Sequence, residues 1–450
     1  MQDLCYMSIR EVGELLRRKE ISPVEVLRAS LDRIQQLGPA LNAFITVMEA
    51  PASQVARKAE KEILSGDWKG HLHGVPIGIK DFYDTAGVRT TAAFEHFRNR
   101  IPKKNAASVE KLIAAGGVII GKTNMHTLGV GVTGLESFFG AAMNPWNAEY
   151  IPGGSSSGSA AAVASGLCYA TLDTDAIGSC RLPAACCGVV GFKGSYGLID
   201  MSGVLDGEQS PEEAIRWMAH AAITSRGVED AAIMAEALVA STGFAIAPRF
   251  SEIFGHDEIV IVGVARNARA DAEVAGAFEQ VIDQVRGLGY PTRDVEAPLI
   301  NLGRGVTNIV ADRSGIVGRA FRDVDVLMLP TMPGATPKIK DAEQNPLAVS
   351  AELTMFANYY GLPAISVPCG FDRNGLPLGA QVVGKPNDDA AILRLAHQLE
   401  QSSIEQRRPI PPMQKARAQP ARVRAQNDRE SGNWRQPQSP TSSPLAGVRQ

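Results

Sequence analysis

Apolar residues recur along this chain in two patterns, one typical of amphipathic helices and one typical of buried strands. Residues 8–36 place apolar side chains at helical spacing, and Ser22-Pro23 in their middle is typical of a cap followed by proline in the first turn. This pattern predicts two amphipathic helices. Further helices are predicted over residues 107–115, 160–166 and 270–288.

Short, mostly apolar runs predict strands that are buried on both faces. These runs are residues 75–79, 118–120, 259–264, 325–330 and 364–368. Alternation of such strands with helices is typical of a largely parallel sheet covered on both sides. The predicted fold class is therefore α/β, an α/β/α arrangement around a mixed, mostly parallel central sheet.

The composition changes near residue 404. Residues 405–450 contain nine Arg and Lys against three acidic residues, many Gln, Pro and Ser, and few large apolar residues. Such a segment does not bury enough apolar surface to order itself. We predict one domain over residues 1–404 and a disordered basic tail over residues 405–450. A docking arm for an acidic partner is the alternative interpretation of the tail.

Charge and cysteine usage narrow the class of protein. The formal net charge is −3 and 45% of residues are hydrophobic, which predicts no general attraction to nucleic acid or to a membrane. We identify no signal peptide and no apolar stretch long enough to span a membrane. The six cysteines form no Cys-x-x-Cys pair, as is typical of reduced thiols in the cytosol. We expect a cytoplasmic protein.

Two motifs invite a nucleotide or metal interpretation. Residues 116–123 match the phosphate-loop pattern Gly-x4-Gly-Lys-Thr, but their centre, Val118-Ile119-Ile120, favours a strand. We interpret this match as accidental. His71 and His73 form the only close histidine pair and lack partners at metal-site spacing, so we predict neither a metal nor a cofactor.

The candidate chemistry lies in two serine centres and one lysine. Small residues surround the serines in both centres, and an apolar run precedes the lysine. A lysine and two serines can form a nucleophilic site without histidine or metal. The stretches are Gly153-Gly154-Ser155-Ser156-Ser157-Gly158-Ser159-Ala160, Gly178-Ser179-Cys180-Arg181 and Gly74-Val75-Pro76-Ile77-Gly78-Ile79-Lys80-Asp81.

These stretches resemble the amidase signature family, and further motifs in the same order extend the resemblance over most of residues 8–400. The additional matching stretches are 121–124, 144–146, 173–193, 361–368 and 375–381. The resemblance implies a Ser–cis-Ser–Lys triad with Ser179 as nucleophile, Ser155 as the bridging serine on a cis peptide bond, and Lys80 as base. The resemblance also implies an oxyanion hole formed by the N–H groups of Ala176, Ile177, Gly178 and Ser179. It further implies supporting residues of the active site, which are Ser156, Asp175 and Arg181.

The implied activity is hydrolysis of an amide or carbamate C–N bond of a small molecule through an acyl-enzyme, without a cofactor. We expect the enzyme to be a monomer or homodimer. Two departures from the family pattern concern the substrate. The family usually reads Gly-Thr-Asp-x-Gly-Gly-Ser where this chain has residues 173–179, so Ile177 replaces a glycine of the oxyanion loop. The segment over residues 302–321 is also shorter, which predicts a more open acyl cleft.

The open cleft favours aryl amides and carbamates, as for a bacterial urethanase-like member. The alternative is an amidotransferase-type component of a heteromeric complex. A degenerate, non-catalytic relative is a third interpretation, suggested by Ile177.

Overall fold

Strands and helices alternate through the part of the chain that the computed structural model describes, residues 3–208, 213–239, 254, 260–300, 305–345 and 348–402. The predicted tail over residues 405–450 lies outside this part. The strands are β1 (Phe44–Val47), β2 (Pro76–Lys80), β3 (Val118–Thr123), β4 (Ala170–Asp175), β5 (Val190–Lys193), β6 (His220–Ser225), β7 (Val262–Ala265), β8 (Thr292–Val295), β9 (Val326–Pro330), β10 (Ala364–Phe371) and β11 (Pro377–Gly384).

The α-helices occupy the intervening segments and the end of the described chain. They are α1 (Ile9–Arg17), α2 (Pro23–Leu41), α3 (Glu49–Leu64), α4 (Ala107–Ala114), α5 (Ser157–Ala164), α6 (Arg181–Cys187), α7 (Glu213–Met218), α8 (Val228–Leu238), α9 (Ala272–Gly287), α10 (Ile309–Ser314), α11 (Ile316–Ala320), α12 (Ile339–Gln344), α13 (Met355–Tyr359) and α14 (Asp389–Ser402). None of the helices in the described ranges is long and apolar enough to cross a membrane.

The first two helices begin where the sequence predicts. Ser8 and Ser22 each accept a hydrogen bond from the backbone N–H three residues later, and Glu11 and Glu25 each accept one from the serine N–H. These capping boxes satisfy N–H groups that a helix start otherwise leaves unpaired. Pro23 occupies the first turn of α2, where its missing N–H is not needed.

The eleven strands of the described residues form one sheet in the order β1-β3-β2-β4-β6-β5-β10-β11-β9-β7-β8. Helices cover both faces. On β11, an added Cβ at Gly379 would lie 2.7 Å from Ala185 of α6, whereas one at Gly384 would lie 2.8 Å from Ile392 of α14. The two glycines point to opposite faces because side chains alternate along a strand. The predicted α/β fold with a mixed central sheet is therefore confirmed.

The predicted predominance of parallel pairs needs a correction. Among the described strands, β3–β2, β2–β4, β9–β7 and β7–β8 are parallel, and the other six neighbouring pairs are antiparallel. A strand buried on both faces is apolar whichever way its neighbours run, so the pattern indicates burial and not direction. The parallel group β3-β2-β4 ends at Lys80 and Asp175, which brings these two candidate site residues to one edge.

Candidate active site

The glycine–serine run is a closely packed segment that leads directly into α5. Gly153 adopts φ 75°, a left-handed conformation that glycine adopts without strain, and the Gly154–Ser155 peptide bond is cis. A Cβ at Gly158 would lie 2.4 Å from the carbonyl oxygen of Ala43, so only glycine fits there. The run is therefore a built part of the core, with Ser155 and Ser156 almost fully buried.

Lys80 reaches this run from the end of β2. Its Nζ donates to Ser155 Oγ at 2.8 Å, to Ser156 Oγ at 2.9 Å and to Thr174 Oγ1 at 3.0 Å. These three hydroxyl oxygens match the three N–H donors of an ammonium group. When the amine is neutral, one of the hydroxyls can donate to its lone pair instead. The predicted contact between Lys80 and Ser155 is present.

The lysine is completely buried, and this changes its proton affinity. Burial lowers the pKa of Lys80 to about 8, against the opposing attraction of the Asp173 and Asp175 carboxylates. Desolvation penalises the ammonium form, so the neutral amine is accessible in mildly alkaline solution. A neutral amine beside a serine hydroxyl can accept a proton, as a general base must.

The second serine centre lies against the first. The N–H of Ser156 donates to the carbonyl oxygen of Ser179 at 3.0 Å, and Ser179 is 4% exposed. The N–H of His126 donates to the carbonyl of Ser155 at 2.9 Å and fixes the other side of the run. The fold thus brings Lys80, at the end of β2, into contact with Ser155, and it places the backbone of Ser179, just before α6, against the same serine run.

A buried ion pair fixes the loop that carries Ser179. Arg181 donates to both carboxylate oxygens of Asp175, at 2.9 and 3.0 Å, and both side chains are fully buried. Burial alone would raise the pKa of Asp175, but the Arg181 guanidinium outweighs burial and holds the pKa well below its usual range. Asp175 and Arg181, the two residues implied as supporting groups, therefore form an ion pair that links the two ends of the loop before α6.

The implied oxyanion donors are not equivalent. The N–H of Gly178 donates to Asp175 Oδ1 at 2.8 Å, so this group is not free to bind an oxyanion, and its assignment is corrected. Gly178 has φ 132°, and a Cβ there would lie 2.4 Å from Thr354 Oγ1. Ala176, Ile177 and Ser179 remain as candidate donors.

Ile177 lies at the junction of two apolar clusters. Its partly buried side chain packs against the cluster that includes Met218 and Phe356 and against the cluster that includes Leu182 and Met332. Ile309, Ile316, Ala320 and Phe321, from the shortened segment, belong to the first of these clusters; residues 301–304 lie outside the described part. The two departures from the family pattern therefore adjoin the same apolar cluster.

Three further polar residues complete the site and were not singled out from the sequence. Thr174 is a hydroxyl partner of Lys80. Asn358 donates to the backbone and carboxylate oxygens of Asp175, and Gln381 accepts from Arg181. Thr174 and Gln381 lie within stretches that carry the resemblance, so the sequence held a signal for them. Asn358 lies outside those stretches, and only the fold places it beside Asp175.

The nucleotide and metal motifs have structural roles. Residues 118–123 form β3, and Lys122 is buried with its Nζ donating to Tyr83 O and to Thr90 Oγ1 at 2.7 Å, which confirms the interpretation of a strand. His73 contacts Glu62 at 3.0 Å. Within the described ranges, no three His, Cys, Asp or Glu side chains are grouped so that they could hold a metal ion.

Comparisons with known proteins agree with this geometry. The Amidase family model matches residues 25–313 and 313–393. The chain is 34% identical to a subunit of the glutamyl-tRNA(Gln) amidotransferase of Carboxydothermus hydrogenoformans, over 89% of this chain and 98% of the relative.

Solved structures show the same similarity. One is 6-aminohexanoate cyclic dimer hydrolase with its substrate, at 26% identity and TM-score 0.77, covering 90% of this chain and 99% of the other. Another is the corresponding glutamyl-tRNA(Gln) amidotransferase subunit of Thermotoga maritima, at 28% identity and TM-score 0.71, covering 89% and 96%. This chain belongs to the amidase signature family.

Proposed function

We propose that this chain cleaves carbon–nitrogen acyl bonds, with Ser179 as nucleophile, Ser155 as proton relay and Lys80 as base. The observation that carries the proposal is the buried contact of 2.8 Å between Lys80 Nζ and Ser155 Oγ, in a run whose next residue, Ser156, is bonded to the backbone of Ser179. A serine hydroxyl is a weak nucleophile until a neighbouring base accepts its proton.

In the proposed acylation, Ser179 Oγ attacks the carbonyl carbon while its proton passes to Ser155 Oγ, and the proton of Ser155 passes to the neutral Lys80. The resulting oxyanion is held by backbone N–H groups of Ala176, Ile177 and Ser179. The ammonium of Lys80 then returns a proton through Ser155 to the amine nitrogen, the carbonyl re-forms, and the C–N bond breaks to release the amine. Water repeats the sequence on the acyl-enzyme and releases the acid.

The sequence relatives favour the interpretation that this chain is a component of an amidotransferase. The glutamyl-tRNA(Gln) amidotransferase subunits match this chain over nearly their whole length, as for the Carboxydothermus relative above. We therefore propose that the amide cleaved at Ser179 supplies nitrogen to a second active site on a partner protein. This interpretation has more support than a preference for carbamates, which rests only on the prediction of an open cleft.

A stand-alone hydrolase is the second candidate, because the chain is also similar over nearly its whole described length to 6-aminohexanoate cyclic dimer hydrolase, at 26% identity and a TM-score of 0.77. The hydrolase interpretation expects the purified chain to turn over amides without a partner. The amidotransferase interpretation expects co-purification with a partner and little turnover in its absence.

The nucleophile is tested on the purified chain with phenylmethylsulfonyl fluoride and intact mass spectrometry, together with a panel of primary amides, p-nitroanilides and aryl carbamates. Ser179→Ala should abolish both sulfonylation and turnover. Ser157→Ala is the matched control, because Ser157 is a neighbouring buried serine whose hydroxyl has no hydrogen-bond partner in the described structure. Retained product formation by Ser179→Ala would refute the assigned nucleophile.

A further inference from the structure

Asp173 is a buried carboxylate that the steps above do not use. It lies on β4, directly beside β2, where the parallel register pairs Gly78 with Thr171 and Ile79 with Leu172. The next residues along the two strands are Lys80 and Asp173. Neighbouring strands lie about 4.8 Å apart, so these two residues occupy adjacent positions at the strand ends.

The two side chains also share a face of the sheet. A Cβ at Gly78 would lie 2.8 Å from the Thr171 side chain, so these register partners point the same way. Side chains two residues further along a strand point to that same face again. Lys80 and Asp173 therefore both lie under the start of α5, which carries Ser159 against Asp173.

The hydrogen bonds around Asp173 favour its anionic form. Ser159 Oγ donates to Oδ1 at 2.6 Å, and Thr171 and Thr224 donate to Oδ2 at 2.6 and 2.8 Å. Thr123, which is paired with Lys80 across β3, is hydrogen-bonded to Ser159 at 2.7 Å. Three hydroxyl donors satisfy a carboxylate, whereas a protonated acid needs an acceptor for its own hydrogen.

The other ionisable groups near the pair are Tyr83, Cys168, Cys180, Asp175 and His126, and none of them replaces Asp173. Burial raises the pKa of the Tyr83 hydroxyl and of the two thiols, so these groups are uncharged. Asp175 acts on Lys80 but is neutralised by its bidentate Arg181. The N–H of His126 donates to the carbonyl of Ser155, and burial together with the charge of Lys80 lowers the pKa of its ring. Burial raises the pKa of Asp173, and the nearby Lys80 opposes that rise. Asp173 is thus the carboxylate beside Lys80 that has no arginine of its own.

We propose that Asp173 is a positioning residue for the catalytic lysine, whose carboxylate stabilises the ammonium that Lys80 becomes when it takes the proton of Ser179 through Ser155. Asp173 exchanges no proton in this step; it acts only through its charge and its fixed hydroxyl shell. The inference rests on the proposed function. It makes Asp173 part of the charge balance of acylation, because a buried ammonium without a counter-charge is costly.

The test is the pH dependence of kcat/KM in Asp173→Asn. Removing the negative charge should move the alkaline-rising limb to lower pH by about one pH unit, as expected for loss of a neighbouring opposite charge. The plateau should fall about tenfold, because the ammonium loses stabilisation that corresponds to one pKa unit. A purely structural defect would lower the rate at every pH and leave the midpoint in place.

The matched control is Asp389→Asn, which removes another buried carboxylate that accepts from a serine hydroxyl, that of Ser195 at 2.6 Å. Its midpoint should not move. If Asp173→Asn fails to fold, Asp173→Gly replaces it, because the family pattern has glycine at this position; the same charge is lost, so the limb should move in the same direction. An unmoved limb in folded Asp173→Asn, or one moved to higher pH, overturns the inference. Ser179→Ala, measured in parallel, separates this outcome from failure of the proposed function.

Discussion

The buried ion pair between Asp175 and Arg181 gives the sharpest stability prediction. Arg181→Met removes five hydrogen bonds of the guanidinium, to Asp175, Asn358, Gln381 and the carbonyl of Thr354. It leaves the Asp175 carboxylate buried and without its counter-charge. Breaking a buried ion pair in this way costs about 3–5 kcal/mol. With an unfolding entropy of about 2.1 cal/mol/K per residue over roughly 400 residues, a loss of about 4 kcal/mol lowers Tm by about 5 °C.

Thermal unfolding followed by circular dichroism measures this change, with Arg266→Met as control. Arg266 also contacts two acids, Glu279 and Asp294, but its side chain is 38% exposed, so its loss should cost at most about 1 kcal/mol. The rate should fall as well, because the loop that carries Gly178 and Ser179 loses its anchor. The two arginines thus separate a buried pair from a surface pair of similar composition.

The difference in Tm between wild type and Arg181→Met should also depend on pH, in a direction that follows from the pKa of Asp175. The pKa of Asp175 is depressed in the folded protein, so the pair adds stability above the unfolded pKa of about 4 and loses it as pH falls below that value. The difference in Tm between wild type and Arg181→Met should therefore be largest near neutrality and shrink below about pH 4. A difference that is small at pH 7, or that grows on acidification, would refute the assignment of the stabilisation to this ion pair.

Four further predictions concern the site. The kcat/KM of the wild type should rise with pH to a plateau through an apparent pKa near the value of about 8 for Lys80, because only the neutral amine accepts a proton; a profile that peaks near pH 5 would contradict a lysine base. Gly178→Ala should lower kcat by about 10²–10³, since a Cβ would displace Thr354 and distort the oxyanion donors; near-normal turnover by a folded variant would argue against this loop geometry. Ile177→Gly should change the ratio of kcat/KM between a short and a long acyl anilide more than the rate on the better substrate, and an equal fall on both would place Ile177 outside the acyl pocket. Incubation with EDTA should leave turnover unchanged, and strong inhibition would direct attention to a metal.

Much of the fold could be predicted because burial leaves a local signature. The runs that became β2, β3, β9 and β10 are mostly apolar, and Ser22-Pro23 marks the start of α2 within one residue. Strand direction could not be predicted, because it depends on which neighbours a strand meets. The turn over Asp372–Gly375 makes β10 and β11 an antiparallel hairpin, a relation that their apolar content does not express.

The candidate site also has one part that the sequence identified and one part that only the fold shows. Lys80, Ser155 and Ser179 could be named because they lie in short stretches whose small residues are needed for close packing, and such stretches are recognisable in order along a chain. Asp173 lies in one of those stretches, yet its relation to Lys80 depends on the register between β2 and β4, across more than ninety positions of sequence. Sheet pairing places the Asp173 carboxylate beside Lys80, and its charge raises the pKa of that lysine against the effect of burial. Charge is therefore the property of this site least visible in its motifs, since each charge is set by groups that only the folded sheet brings within a few ångströms.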